Sequence, residues 1–154
     1  MTLEEIYNFM HLSESLSSSG MPTAEQMKSI SEAGTEVVIN LAPHDVPNAL
    51  ADEGELVGSL GMEYLNFPVI WRAPDQAALT GFMDAMDARK DKKIHVHCEA
   101  NYRASTFIMI YRVLRLGWKK EDAIPVMEKM WNPEDFPIWQ KFIDENMGKF
   151  LNSS

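Results

Sequence analysis

Three short runs of branched apolar residues alternate with helix-like segments along this chain, and that alternation restricts the fold more than any other feature. Glu36-Val37-Val38-Ile39-Asn40-Leu41, Met62 to Val69 and Ile94-His95-Val96-His97-Cys98 have the profile of buried strands, too short and too β-branched for helices. Met62 to Val69 reads as a second central strand. Ahead of the first, Thr23 and Gln26 stand in capping-box relation before Met27, Ile30 and Ala33, with Gly34 as the stop. Residues 52–60 read as a short acidic helix. Asp75 caps a helix whose apolar face is Leu79, Phe82, Met83 and Met86, and Ala104, Phe107, Ile108, Tyr111 and Leu114 mark another, stopped by Gly117. Phe9 to Leu12 and Leu16 are further strand candidates. Two more helices are predicted over about 119–131 and 134–151, with Pro125 held to the first turn of the former, where its missing amide does little harm. Strands alternating with helices give an α/β fold, a central and mostly parallel sheet flanked by helices on both faces. No repeat or linker divides the 154 residues, so one domain over 1–154 is expected.

Charge narrows the function. Fourteen Lys+Arg against twenty-three Asp+Glu give a net charge of −9, a poor match to nucleic acid or an anionic membrane surface. Hydrophobic residues at 45% exclude disordered and collagen-like readings. No apolar run is long enough to span a bilayer, and MTLEEIYNFM lacks the basic and apolar regions of a signal peptide. The single cysteine, Cys98, makes neither an internal disulfide nor a thiolate zinc cluster; a cytoplasmic protein is the expectation.

The chemistry falls in residues 97–105, HCEANYRAS. A cysteine at the end of a buried strand, followed by a tight loop and a helix start, faces several free backbone amides, and ligands of such sheets sit beyond the carboxyl ends of the strands. Those amides, with the helix dipole, favour an anion in the loop and the thiolate form of Cys98. A thiolate on the floor of an anion-binding nest suits nucleophilic attack on phosphorus or sulfur. Arg103 adds a planar fork for an oxyanion. Asn101 suits the middle of the loop because Asn tolerates the left-handed conformation. Ser105 is placed to hydrogen-bond the sulfur and make it a better leaving group.

This segment resembles the His-Cys-x-x-Gly-x-x-Arg-Ser/Thr signature of the cysteine-dependent protein tyrosine and dual-specificity phosphatase superfamily. Ser19-Gly20-Met21-Pro22-Thr23, the helix ending at Gly34 and the Val38-Ile39-Asn40-Leu41 strand resemble the front half of a small bacterial branch, which includes the phosphatase-like domain attached to beta-lactamase-like hydrolases. Lys119 to Met130 is similar to the helical tail of these phosphatases, so the resemblance spans roughly residues 9–131. It implies a dual-specificity-phosphatase-like fold and a phosphatase that needs no metal or other cofactor and acts on a phosphorylated small molecule or phosphoprotein. It also implies a phosphate-binding loop formed by His97, Cys98, Glu99, Ala100, Asn101, Tyr102, Arg103 and Ala104. His97 takes the family place of the residue that orients the loop through its backbone.

The sequence departs from that pattern at three positions. Asn101 replaces the motif glycine. Arg103 comes one position early, with Ala104 where the family places its phosphate-clamping arginine, so that Arg103 either reaches the anion from an altered loop or points elsewhere. The loop after the 62–69 strand, Ile70-Trp71-Arg72-Ala73-Pro74-Asp75, has Trp71 or Arg72 where the family keeps a general acid. Asp75 is the nearest carboxylate, with helix capping as its simpler role; Glu99 is another candidate acid, and Arg72 an extra cation for the substrate. Without an acid, aryl phosphates and other good leaving groups are the substrates expected to turn over. Three rival readings remain open. The Cys-x4-Arg spacing also resembles single-domain rhodaneses, which move sulfur through a cysteine persulfide. A non-catalytic module binding phosphate through the same loop is the second. A metal site from His95 and His97, with His44 as third ligand, is the last.

Overall fold

The computed structural model describes residues 2–148. Its elements in chain order are β1 (Met10–Ser13), β2 (Leu16–Ser19), α1 (Ala24–Glu32), β3 (Val37–Asn40), α2 (Glu53–Ser59), β4 (Glu63–Asn66), α3 (Gln76–Asp87), β5 (Ile94–His97), α4 (Tyr102–Leu114), α5 (Lys120–Glu128) and α6 (Pro137–Met147). Five strands make one sheet in the order β1-β2-β5-β3-β4. β1 and β2 form an antiparallel hairpin, and every other pair is parallel.

Strand alternation sorts side chains to the two faces of the sheet. Val37, Ile39, Ile94, Val96 and Cys98 join the larger core with α3, α4, α5 and α6. Val38 packs on the opposite side with Met27 and Ile30 of α1 and Val57 of α2. Helix α1 begins as expected, with Thr23 Oγ1 accepting from Gln26 N–H and Thr23 N–H donating to Gln26 Oε1. Gly34, at φ 95°, follows its end in the left-handed conformation that favours glycine.

Three expectations need correction. The 62–69 segment is a strand only over Glu63–Asn66, and it lies at the sheet edge. Its outward Glu63 pairs with Arg89 through two hydrogen bonds of 2.8 and 2.7 Å, which a central strand has no solvent to permit. Pro125 lies in the second turn of α5, not the first; it is exposed, so the carbonyl its missing amide leaves unpaired can be hydrated. The last helix starts at Pro137 after a 3-10 turn at Pro133–Asp135, and residues 149–151 of the expected span lie outside the described residues.

The carboxyl edge of the sheet positions the site. Ser19, His97, Asn40 and Asn66 occupy one register row across β2, β5, β3 and β4, a polar layer directly before Cys98. Two residues earlier on β5, fully buried His95 lies 2.7 Å from Ser17 Oγ through Nδ1 and 2.8 Å from Ser19 Oγ through Nε2. Ser19 donates its own proton to Gly20 O at 2.7 Å, so it accepts from His95 Nε2–H while Ser17 donates to Nδ1. The ring is therefore neutral. Burial, helped by neighbouring His97, pushes its pKa from the ordinary 6.5 down to about 3.

The unfolded chain takes up this proton near pH 6.5, and the folded chain does not until about pH 3. Stability therefore falls as pH drops through that window, by up to ~1.4 kcal/mol per unit from this group. Denaturant unfolding between pH 6.5 and 5 should show a slope shallower by about that amount in His95→Gln. Equal slopes would remove His95 as the acid-sensitive group.

Candidate active site

Cys98 leaves β5 directly above the polar row and is 1% exposed. From it, a loop of three residues reaches Asn101, the N-cap of α4, at φ 70°. Loop carbonyls are held from outside: His97 Nδ1 lies 3.3 Å from Cys98 O, and Met21 N–H donates to Glu99 O at 3.0 Å. A planar trans peptide points each N–H opposite the preceding carbonyl, so these contacts turn the Glu99 and Ala100 amides the other way. The amides of Glu99, Ala100, Tyr102 and Arg103 donate to no atom among the described residues, leaving a ring of free donors at the start of a 13-residue helix.

Gly20 makes the close approach of β2 to this loop possible. A Cβ there would stand 2.6 Å from Glu99 O and 2.7 Å from Tyr7 Cδ2. The backbone contact leaves no room for any side chain at this position.

Arg103 enters the same cleft, about 330 Å³ in volume and lined by Trp71, Cys98, Glu99, Ala100, Tyr102 and Arg103. Its guanidinium is held on two sides: Nη2 donates to Glu99 Oε1 at 2.9 Å, and Cζ lies 5.7 Å from the centre of the Trp71 ring. Its Nε and Nη1 are buried with no partner among the described residues. Ala104, at the family's usual arginine position, is fully buried in the apolar core. Of the two courses left open to the displaced arginine, the structure shows it in the cleft beside Cys98.

Trp71 explains what became of the acid loop. Its ring lies 5.3 to 5.4 Å from those of Trp131, Phe136 and Trp139, and Trp139 Nε1–H donates to Trp71 O at 2.9 Å. The carboxyl-terminal aromatics thus dock the loop onto the domain. Asp75 caps α3 by accepting from Ala78 N–H at 2.7 Å and does not line the cleft; Arg72 is exposed and also outside the lining. Among the described residues, the only carboxylate lining the cleft is that of Glu99.

Ser105 also falls away from its expected place. Its hydroxyl donates to Tyr102 O at 3.2 Å, and no hydrogen bond reaches Cys98 Sγ among the described residues. Ser105 keeps its family separation from Cys98, but its hydroxyl is turned back along α4 to the Tyr102 carbonyl. It lines a small internal gap with Ile108 and Met109 instead.

Beneath the loop, His97 is bound by a residue that sequence reasoning missed. Its Nε2 lies 2.6 Å from Glu53 Oε2, both side chains being almost completely buried. With Cys98 O 3.3 Å from the other nitrogen, the ring is held between the carboxylate of α2 and the loop backbone. Asn40 Nδ2 donates to Glu53 Oε1 at 3.4 Å and to the Tyr64 hydroxyl at 3.1 Å, and that hydroxyl meets exposed His44 at 2.9 Å. Burial pushes the Tyr64 phenol up to about 12. The polar Asn40 ending a buried apolar strand was the available signal for this network; nothing in the acidic helix singled out Glu53. His95, His97 and His44 are all engaged in these bonds, and no three metal-ligating side chains cluster among the described residues.

The sheet order, the free amides and the cysteine-arginine pair define a protein of the cysteine-dependent tyrosine and dual-specificity phosphatase superfamily. A candidate phosphatase of the DUF442 family from Shewanella putrefaciens CN-32 is 37% identical in sequence, with a TM-score of 0.82 over 93% of this chain and 90% of that one. This chain belongs to the DUF442 family. The fold is shared more widely. TpbA of P. aeruginosa is 19% identical with a TM-score of 0.72 over 90% and 84% of the two chains. The core catalytic domain of the S. cerevisiae PP-IP phosphatase SIW14 is 17% identical with a TM-score of 0.74 over 96% and 90%. No family model matches the sequence, and no curated protein does.

Removing one partner of a buried ion pair strands the other. Glu53→Ala should therefore lower stability by about 3–5 kcal/mol in denaturant unfolding. A loss under about 1 kcal/mol would show that His97 does not depend on it.

Proposed function

We propose that the chain hydrolyses phosphate monoesters of the tyrosine or aryl type through a cysteinyl-phosphate intermediate. The observation that carries this reading is Arg103: a residue only 6% exposed, lining the Cys98 cleft, with two guanidinium nitrogens that have no partner among the described residues. Buried donors are normally satisfied, and an oxyanion above Cys98 satisfies these together with the free amides of the loop.

The Cys98 thiolate attacks phosphorus, forming the S–P bond as the bond to the aryl oxygen breaks and that oxygen leaves with the electron pair. Water then forms a new P–O bond, the P–S bond breaks, and the thiolate returns as inorganic phosphate departs. Amides and Arg103 hold the equatorial oxygens throughout. Glu99 is engaged with Arg103 and Asp75 with its helix, so no carboxylate stands free to protonate the leaving oxygen; good leaving groups are favoured for that reason. The cleft is walled by Trp71 and Tyr102, which suits a flat aromatic body.

A phosphorylated small molecule or a phosphoprotein is the partner, met in the cytoplasm. The net charge of −9 disfavours heavily phosphorylated bodies. A structure of TpbA in complex with pTyr supports the aryl reading.

Wild type should hydrolyse p-nitrophenyl phosphate, and Cys98→Ser should abolish it. Arg103→Ala should weaken vanadate inhibition by about tenfold or more, the loss of charge-assisted hydrogen bonds. Absence of hydrolysis in wild type, with sulfur transfer from thiosulfate to cyanide, would replace this reading by the rhodanese-like one. Vanadate binding without turnover would leave a phosphate-binding module.

Asp75→Asn preserves a good N-cap, so its rate on phosphotyrosine should stay within about twofold of wild type. A fall of about a hundredfold or more would make Asp75 the general acid.

A further inference from the structure

We propose that Asn8, in the turn before β1, positions the Cys98 loop through a reciprocal amide clamp with Asn101; this rests on the phosphatase reading of the loop. Asn101 Nδ2 donates to Asn8 O at 2.8 Å, and Asn8 Nδ2 donates to Ala100 O at 2.9 Å. The two residues are 93 positions apart, yet both adopt the left-handed conformation, at φ 51° and φ 70°.

Asn101 stands where the superfamily signature has glycine, and glycine takes positive φ freely. An L-residue there is strained and persists only where its surroundings hold it. The clamp is that hold: the Asn101 side chain is fully buried and its amide is anchored to the amino-terminal turn. Its partner Asn8 holds the one loop carbonyl that neither His97 nor Met21 reaches. Fixing Ala100 O sends the next N–H to the opposite side and sets the start of α4, hence the heading of Arg103 two residues later. The turn is itself locked, because Gly20 N–H donates to Tyr7 O at 2.7 Å and Gly20 is wedged between Tyr7 and Glu99. The amino-terminal turn is thereby the back wall of the anion loop.

Two substitutions separate positioning from bulk stability. Asn8→Asp keeps size and left-handed tolerance but sets an acceptor against Ala100 O. Asn101→Gly keeps the backbone conformation and deletes the clamp. Orthovanadate affinity, read by calorimetry, should weaken about tenfold in each, and the double variant should be no weaker than the weaker single one. Thr23→Ala, which uncaps α1, serves as the stability control and should lower Tm without moving vanadate affinity. Wild-type binding with both variants within twofold of it would overturn the clamp and leave the phosphatase reading standing. Equal loss in Thr23→Ala would overturn the clamp as mere stability. No binding by wild type would overturn the phosphatase reading, and the clamp's function with it.

Discussion

The site depends on backbone carbonyls being held from behind. A loop cannot gather amides around an anion unless the alternate carbonyls find partners elsewhere, since buried carbonyls left unpaired cost as much as a lost hydrogen bond. Here the donors come from three separate places: His97 at the strand end, Met21 at the exit of β2, and Asn8 in the amino-terminal turn. Only His97 belongs to the signature segment. The anion site is a property of the packed domain, and the signature alone would not form it.

The same dependence explains the polar layer under the loop. An ion pair between His97 and Glu53, each at most 3% exposed, is expensive to bury and adds little net stability over an apolar pair. Its value lies in orientation. His97 cannot turn without breaking the 2.6 Å contact to Glu53, and while it stays, its other nitrogen faces the Cys98 carbonyl. Asn40 then donates to the remaining carboxylate oxygen and, through Tyr64, extends the network to the sheet edge.

How much of this was legible in the sequence follows from the range of each interaction. The helix starts at Thr23 and Asp75 were readable because caps join residues three apart. The larger core and the place of Cys98 followed from periodicity. The edge position of β4 was not readable, because Tyr64 and Leu65 look as apolar as a central strand and only pairing decides. The Ser105 contact was not readable, because a motif fixes separation along the chain and the turn of the helix decides where the side chain points. Asn8 and Glu53 act over 92 and 44 residues. No local pattern marks them, and both have bland readings as a loop asparagine and a helix-start acid.

Displacing the arginine and losing the loop acid form one structural change. With Arg103 a residue early, its guanidinium lies over the face of Trp71 at 5.7 Å, and Trp71 sits where the family's acid loop would descend. A carboxylate at that point would pair with Arg103 and compete with phosphate for it. Glu99 already makes such a contact through Nη2 alone, while Nε and Nη1 have no partner among the described residues. An aromatic face attracts the cation without supplying a competing anion. A shortened cysteine-to-arginine spacing thus leaves a guanidinium lining the Cys98 cleft, with an aromatic face and no carboxylate of the 70–75 loop beside it.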